Sequence, residues 1–236
     1  MTADGSAGNW LRDFGMYLYS NIIDIERGRW LMYLNGLGLT LAISFFAILL
    51  GIVLGFLLAL ARISKNKILY GVSSAYISVI RGTPVIVQLM IIYYIILAPF
   101  SDIGLVVGTV AFGLNSAAYV AEIFRAGIMS IDKGQTEAGR SLGLTVGQTM
   151  RYIILPQAVK NVIPALSNEF IVLVKETAAI GYLGIMDLTY TAKAIGSRTY
   201  DYKIAFLFIG ILYYLVVLVL QKLFTMVENR LRKSDM

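Results

Sequence analysis

The chain has 236 residues, of which 58% are hydrophobic and only 14% charged, a balance too apolar for an ordinary soluble domain. Cys and His are both absent, which excludes disulfide frameworks, Cys/His zinc sites, thiolate nucleophiles and Ser-His-Asp triads. The net charge is +6, but in a membrane protein its distribution over loops says more than its total.

A spanning helix needs about 20 apolar residues, so five or six spans with their loops would use the whole length. Residues 1–35 come first and lack the apolar core and cleavage site of a signal peptide. They are expected to be an extracytoplasmic tail. It is either an interfacial helix with Trp10, Tyr17, Tyr19 and Trp30 at a membrane surface, or a poorly ordered arm. Arg29 and Arg62 bracket 32 uncharged residues, the first span, with Gly36–Ala61 its most apolar part. Gly82–Ser101, preceded by another uncharged stretch, Ile68–Ile80, is the second window, and Ile103–Ala121 the third. The fourth, Gln157–Ile180, carries Lys160, Glu169, Lys175 and Glu176, and Ile204–Gln221 is the fifth.

This predicts an all-α polytopic membrane protein with five transmembrane helices. Lys and Arg number 12 in the alternate connections that include the link 62–67 and the C-terminus, against 6 on the other side. The N-terminus is therefore expected outside and the C-terminus in the cytoplasm. The transmembrane domain is expected over 36–230, followed by a cytoplasmic tail, 231–236.

Between the third and fourth spans, residues 132–156 form the longest cytoplasmic segment. Asp132 is placed to cap a short helix with Glu137 in its first turn, and Gly143 to stop it in a left-handed conformation. Thr145 and Gln148 have the spacing of a capping box that opens a second short helix. Gly134–Ser141 reads G-x-x-x-x-G-R-S, one residue from a phosphate loop. It lacks both the preceding strand and the Lys that such a loop needs.

Glu137-Ala138-Gly139, then Gly143, then Ile153-x-Leu155-Pro156 resembles the EAA signature of the integral-membrane subunits of bacterial ABC importers. The spacing matches throughout, and the single departure is Gly139 in place of a second Ala. Arg81–Leu89, Ala118–Arg125, Gly134-Gln135, Ile154–Ala158, Asn168–Ile171 and Lys175–Thr177 look like the polar amino acid branch. The resemblance covers roughly residues 35–230.

It implies a permease of the bacterial inner membrane that moves a polar amino acid inward by alternating access. Glu137, Ala138, Gly139, Arg140, Leu142 and Gly143 would form a coupling helix seated in a groove of a cytoplasmic ATPase dimer. ATP and Mg would belong to that ATPase, with no cofactor, metal or catalytic residue on this chain. A second permease subunit, an external solute-binding protein and membrane lipid would complete its partners, with no role for nucleic acid.

Ionisable groups inside spans are costly and by default functional. Asn161, Asn168 and Lys175 recur every seven residues, with Glu169 and Glu176 beside them, so the fourth span carries one polar stripe. Glu169 falls roughly 16 Å from that span's outer end, near mid-membrane. Asn115, Tyr119 and Glu122 share a face of the third span. Arg81 adjoins a break at Gly82-Thr83-Pro84, and broken helices commonly line transport cavities.

A zwitterion needs a cation for its carboxylate, which Arg81 offers, and an acceptor for its ammonium, which Glu169 or Glu122 offers. Arg81, Thr83, Asn115, Tyr119, Glu122, Asn168 and Glu169 are the expected substrate-binding set, with a slight preference for a cationic amino acid. Arg81 has a second reading, as a side chain snorkelling to the interface, and Glu122 another, as the structural partner of Arg125. The functional alternative is a self-sufficient channel or ion-coupled carrier, which leaves the coupling signature without a role.

Overall fold

The computed structural model describes residues 12–24, 28–100 and 103–233, apart from the side chains of Asn21 and of 231–233. Expectations resting on Trp10, Ser101 or the side chains of 231–236 lie outside these residues. Every regular element described is helical, as the apolar windows predict.

A helical stretch from residue 12 ends in a π turn, Tyr19–Ile23. The buried Arg29 ties it down, donating to the carbonyl of Ser20 and lying 3.7 Å from Asp24. Helix α1, Arg29–Ile63, runs 35 residues without a break. Asn66 opens α2, Lys67–Gly82, by accepting from the N–H groups of Ile68 and Leu69.

At Thr83-Pro84 the chain turns through 109° into α3, Val85–Ile91, which continues as a π turn, Ile92–Ile96. Pro84 has no N–H to donate and forces Thr83 into an extended conformation, with φ −121° and ψ 149°. Helix α4 covers Gly104–Met129.

The segment after α4 forms α5, Lys133–Ser141, and α6, Val146–Thr149. Asp132 accepts from the N–H of Gly134 at 2.6 Å, Gly143 is left-handed at φ 85°, and Thr145 with Gln148 completes the capping box. Two expectations need correcting. Glu137 lies in the second turn of α5, because the helix starts at Lys133. The second helix is also not free-standing: α6 passes through a π turn, Met150–Ile154, into α7, Leu155–Glu176, with right-handed helical angles at both junctions. Pro156 withholds one donor from the ladder, and the widened turn absorbs that mismatch.

After α7 come a 3₁₀ segment, Thr177–Leu183, then α8, Leu188–Thr199, and α9, Tyr202–Lys233. By length and hydropathy α1, α4 and α9 each suffice to cross a membrane, and α2 with α3 passes as a bent pair. Helix α7 is not among them, since Gln157, Lys160, Asn161, Asn168 and Glu169 lower its mean hydropathy.

The core sits between α1 and α4. A Cβ at Gly51 would stand 3.0 Å from Ser116, and one at Gly55 only 2.7 Å from Val120 and 2.9 Å from the Ala117 carbonyl. A Cβ at Gly108 of α4 would lie 2.7 Å from Ile180 and 2.9 Å from Ile43, and one at Gly104 would lie 2.7 Å from Ile185. Both G-x-x-x-G segments thus serve packing within the chain. Ile43, Ala47 and Phe112 fill the seam, and Leu173 of α7 closes it. Only 11% of the most apolar window of α9 is buried, leaving an apolar surface suited to lipid or another chain.

Candidate functional site

A cavity of about 640 Å³ opens between the end of α2, the C-terminal half of α4 and the polar stripe of α7. Arg81, Tyr119, Glu122, Asn168 and Glu169 all line it, as do Ser130 and Asn161. Five of the seven expected binding residues therefore share one wall system. The 109° break places Arg81 there, and helical spacing on α4 and α7 brings in the others.

The charges in the cavity differ in how far they are already engaged. Glu122 accepts from Nε and Nη2 of Arg125 at 2.9 and 2.7 Å, and Nε of Arg62 on α1 is 4.0 Å from its other oxygen. Two guanidinium groups compensate it before any ligand arrives. Glu169 is 91% buried and accepts from the hydroxyl of Ser116 at 2.9 Å. The Arg81 guanidinium lies over the Tyr119 ring, 5.3 Å from its centroid, which orients the cation without neutralising it. Asn161 donates to the Ser130 hydroxyl at 2.9 Å, joining α7 to the end of α4.

Thr83 and Asn115 stand apart from this lining, and Gln88 of α3 collects both. Its amide nitrogen donates to the Ile80 carbonyl at 2.7 Å and to the Thr83 carbonyl and hydroxyl at 3.1 and 2.7 Å. Its amide oxygen accepts from Asn115 at 2.8 Å. Gln88 therefore satisfies backbone groups freed by the break and fixes the bend against α4. Its position in the apolar run Val85–Ile91 gave no pattern from which to assign this role. Ser116 was missed for a similar reason, since a lone Ser on an apolar helix is ordinary.

The exposed segment with the expected coupling residues does not line the cavity. Gly139 is its buried contact: a Cβ there would stand 2.8 Å from both Ile153 and Thr149. The departure from the signature's second Ala thus coincides with close docking of α5 on α6 and the π turn that leads into α7. Glu137, Ala138, Arg140, Leu142 and Gly143 are exposed, Leu142 by 81%. Arg140 donates to the carbonyl of Leu144 at 2.7 Å and helps close the turn.

Residues 47–233 match the family described as binding-protein-dependent transport system inner membrane component. The arginine transport system permease protein ArtQ of Bacillus subtilis is 42% identical over 204 residues, covering 86% of this chain and 93% of the relative. A putative glutamine transport system permease protein, GlnP of Rickettsia typhi, is 42% identical over 205 residues, covering 85% and 93%. The L-cystine transport system permease protein TcyB of Bacillus subtilis is 37% identical over 215 residues, covering 88% and 89%.

Among solved structures, an amino acid ABC transporter crystallised with histidines matches with a TM-score of 0.80 at 45% identity, covering 84% of this chain and 94% of that one. The inward-facing MetNI methionine ABC transporter matches with a TM-score of 0.73 at 26% identity, covering 87% and 98%. The motifs, the fold and these relatives agree: the chain belongs to the binding-protein-dependent transport system inner membrane components, among the amino acid ABC importer permeases.

Proposed function

We propose that the chain is the permease subunit of an ATP-driven importer that carries a polar amino acid into the cytoplasm by alternating access. The observation that carries this reading is the pairing, around one 640 Å³ cavity, of a guanidinium resting on an aromatic face with a buried carboxylate that accepts from one hydroxyl. Arg81 receives the α-carboxylate, and Glu169 the α-ammonium or a cationic side chain. Tyr119, Asn168 and Asn161 offer polar contacts to the rest of the molecule. Glu122, compensated by Arg62 and Arg125, sets the local field. Thr83 and Asn115 act through Gln88 by holding the bend.

Five spans cross the bacterial inner membrane, with α2 and α3 together as the second and α7 as the fourth. The N-terminus is outside and the C-terminus in the cytoplasm, in keeping with the Lys and Arg asymmetry. Residues 36–230 are the transmembrane domain, 1–35 an outer interfacial segment and 231–236 a cytoplasmic tail. The exposed, capped α5 enters a groove of an ATPase dimer that supplies ATP and Mg chemistry, so this chain itself hydrolyses nothing. A second permease chain and an external solute-binding protein complete the importer. Relatives named for arginine, glutamine and cystine transport are in keeping with a polar amino acid. Glu169 inclines the choice towards a cationic one.

Purification of the tagged chain from its native membrane tests this reading. An ABC ATPase is expected to copurify, and to be lost when Gly143→Pro breaks the turn. A chain that runs alone while still mediating uptake would support the self-sufficient carrier instead.

A further inference from the structure

A second cavity, of about 520 Å³, lies at the opposite end of α7 from the coupling segment. Lys175 and Glu176 line it side by side where α7 tightens into the 3₁₀ segment Thr177–Leu183. Thr189 of α8 and Tyr213 of α9 form further walls. Gly210 of α9 lines it too; it is exposed, and a Cβ there would meet nothing within 4 Å, so the groove is open on that side. Glu176 stands seven residues beyond Glu169 on the same helix, two turns or about 10 Å along it and on nearly the same side. The two cavities are therefore stacked along α7, one ending at Glu169 and the other beginning at Glu176.

We propose that this cavity is a second, outer amino acid station, in which Glu176 takes the α-ammonium and Lys175 the α-carboxylate before the molecule moves to Glu169. The proposal rests on the importer reading above. Two opposite charges on adjacent residues match two opposite charges on one α-carbon. Lys175 is exposed and Glu176 half-buried against a mostly apolar lining, so both are within reach of a molecule in the groove. The open wall at Gly210 leaves room for side chains of different size. The station accepts α-amino acids as a class, and the cavity at Glu169 selects among them.

The test is equilibrium binding of radiolabelled arginine and glutamine to the purified permease–ATPase complex in nanodiscs, without binding protein. The wild type is expected to bind two molecules per permease chain. Glu176→Gln and Lys175→Gln are each expected to leave one, for both probes, and the double variant Lys175→Glu/Glu176→Lys to restore the second. A structural ion pair between the two charges would also survive the swap, so Gly210→Leu, which leaves both charges in place, is measured alongside it. If a single variant fails to assemble, Gly210→Leu fills the chamber from a position with free space and is expected to leave one molecule.

One molecule per wild-type chain, lost in Glu169→Gln but kept in Glu176→Gln and Gly210→Leu, overturns the outer station alone. A wild-type complex that binds neither probe overturns the amino acid reading and the station together.

Discussion

The hydroxyl of Ser116 on α4 donates to Oε1 of Glu169 on α7 at 2.9 Å, linking two helices across 53 residues of sequence. Both side chains are buried, and the contact sets the carboxylate at one end of the larger cavity. A buried carboxylate held by one hydroxyl retains acceptor capacity that an ammonium group can use. Ser116→Ala is expected to lower the stability of the complex by about 1–3 kcal/mol, read from its thermal midpoint. Glu169→Gln is expected to weaken arginine binding at least tenfold and glutamine binding less. Equal affinity for arginine in wild type and variant would remove Glu169 from the site.

Arg81 should act on the group that all amino acids share. Arg81→Gln is expected to weaken arginine and glutamine binding alike, by about tenfold to a hundredfold, corresponding to about 1.4–2.8 kcal/mol. Arg81→Lys retains the charge but not the planar fork, and should recover only part of this affinity. Unaltered binding in Arg81→Gln would favour the snorkelling role. Comparing Kd values for the two ligands in each variant decides it.

Packing of α1 on α4 makes a paired stability test. A methyl at Gly55 meets Val120 and the backbone oxygen of Ala117, whereas Gly38 on the same helix has nothing within 4 Å. Gly55→Ala is expected to destabilise by about 1–3 kcal/mol through overpacking. Gly38→Ala should be neutral or gain up to about 1 kcal/mol from helix propensity. Thermal unfolding of the two purified variants measures the contrast, and equal midpoints would contradict the close approach at Gly55.

The proposed coupling surface offers a test that separates folding from partner binding. Leu142 is 81% exposed, so Leu142→Glu is expected to leave the permease folded while reducing ATPase retention at least tenfold. Gly139→Leu drives a side chain into Ile153 and Thr149, and should lose both stability and the ATPase. Size-exclusion profiles with immunoblotting for the ATPase distinguish the two results.

Asp187, between the fourth and fifth proposed spans, supplies a pH dependence. Its Oδ1 accepts from the N–H of Tyr190 at 2.7 Å and caps α8. Burial, only partly offset by hydrogen bonds from Tyr190 and Thr189, pushes its carboxyl up to about 6. Because the folded value exceeds that of the unfolded chain, about 3.9, the folded state holds the proton more tightly. Stability is then expected to fall as pH rises from about 4 to about 6, by on the order of 1–3 kcal/mol, and to level off above. Asp187→Asn keeps an acceptor for Tyr190 and should flatten that slope. Midpoints measured from pH 4.5 to 7.5 check the direction.

Local chemistry made much of this architecture readable. The break at Thr83-Pro84, the caps at Asp132 and Thr145, and the left-handed stop at Gly143 each follow from what a few neighbouring residues can donate or accept. The polar face of α7 was readable from its seven-residue spacing. Contacts set by tertiary geometry were not. The i+4 relation of Asn115 to Tyr119 places both on one side of α4, but that side is broad enough to meet Gln88 at one end and the cavity at the other. The union of α6 with α7 depended on a π turn, which has no distinct apolar period. The chamber at Gly210 is a space between helices, visible only once α9 is laid against the end of α7.

The proposed importer requires ATP-driven inward movement of a polar amino acid through this chain. Uptake of radiolabelled arginine and glutamine by proteoliposomes carrying the permease, its ATPase and its binding protein tests it most directly. Uptake of at least one is expected only with ATP and Mg on the ATPase side, and is expected to stop with Glu169→Gln for arginine and with Gly143→Pro for both. Uptake of the same amino acid by the permease alone, in liposomes without ATP, would contradict the account.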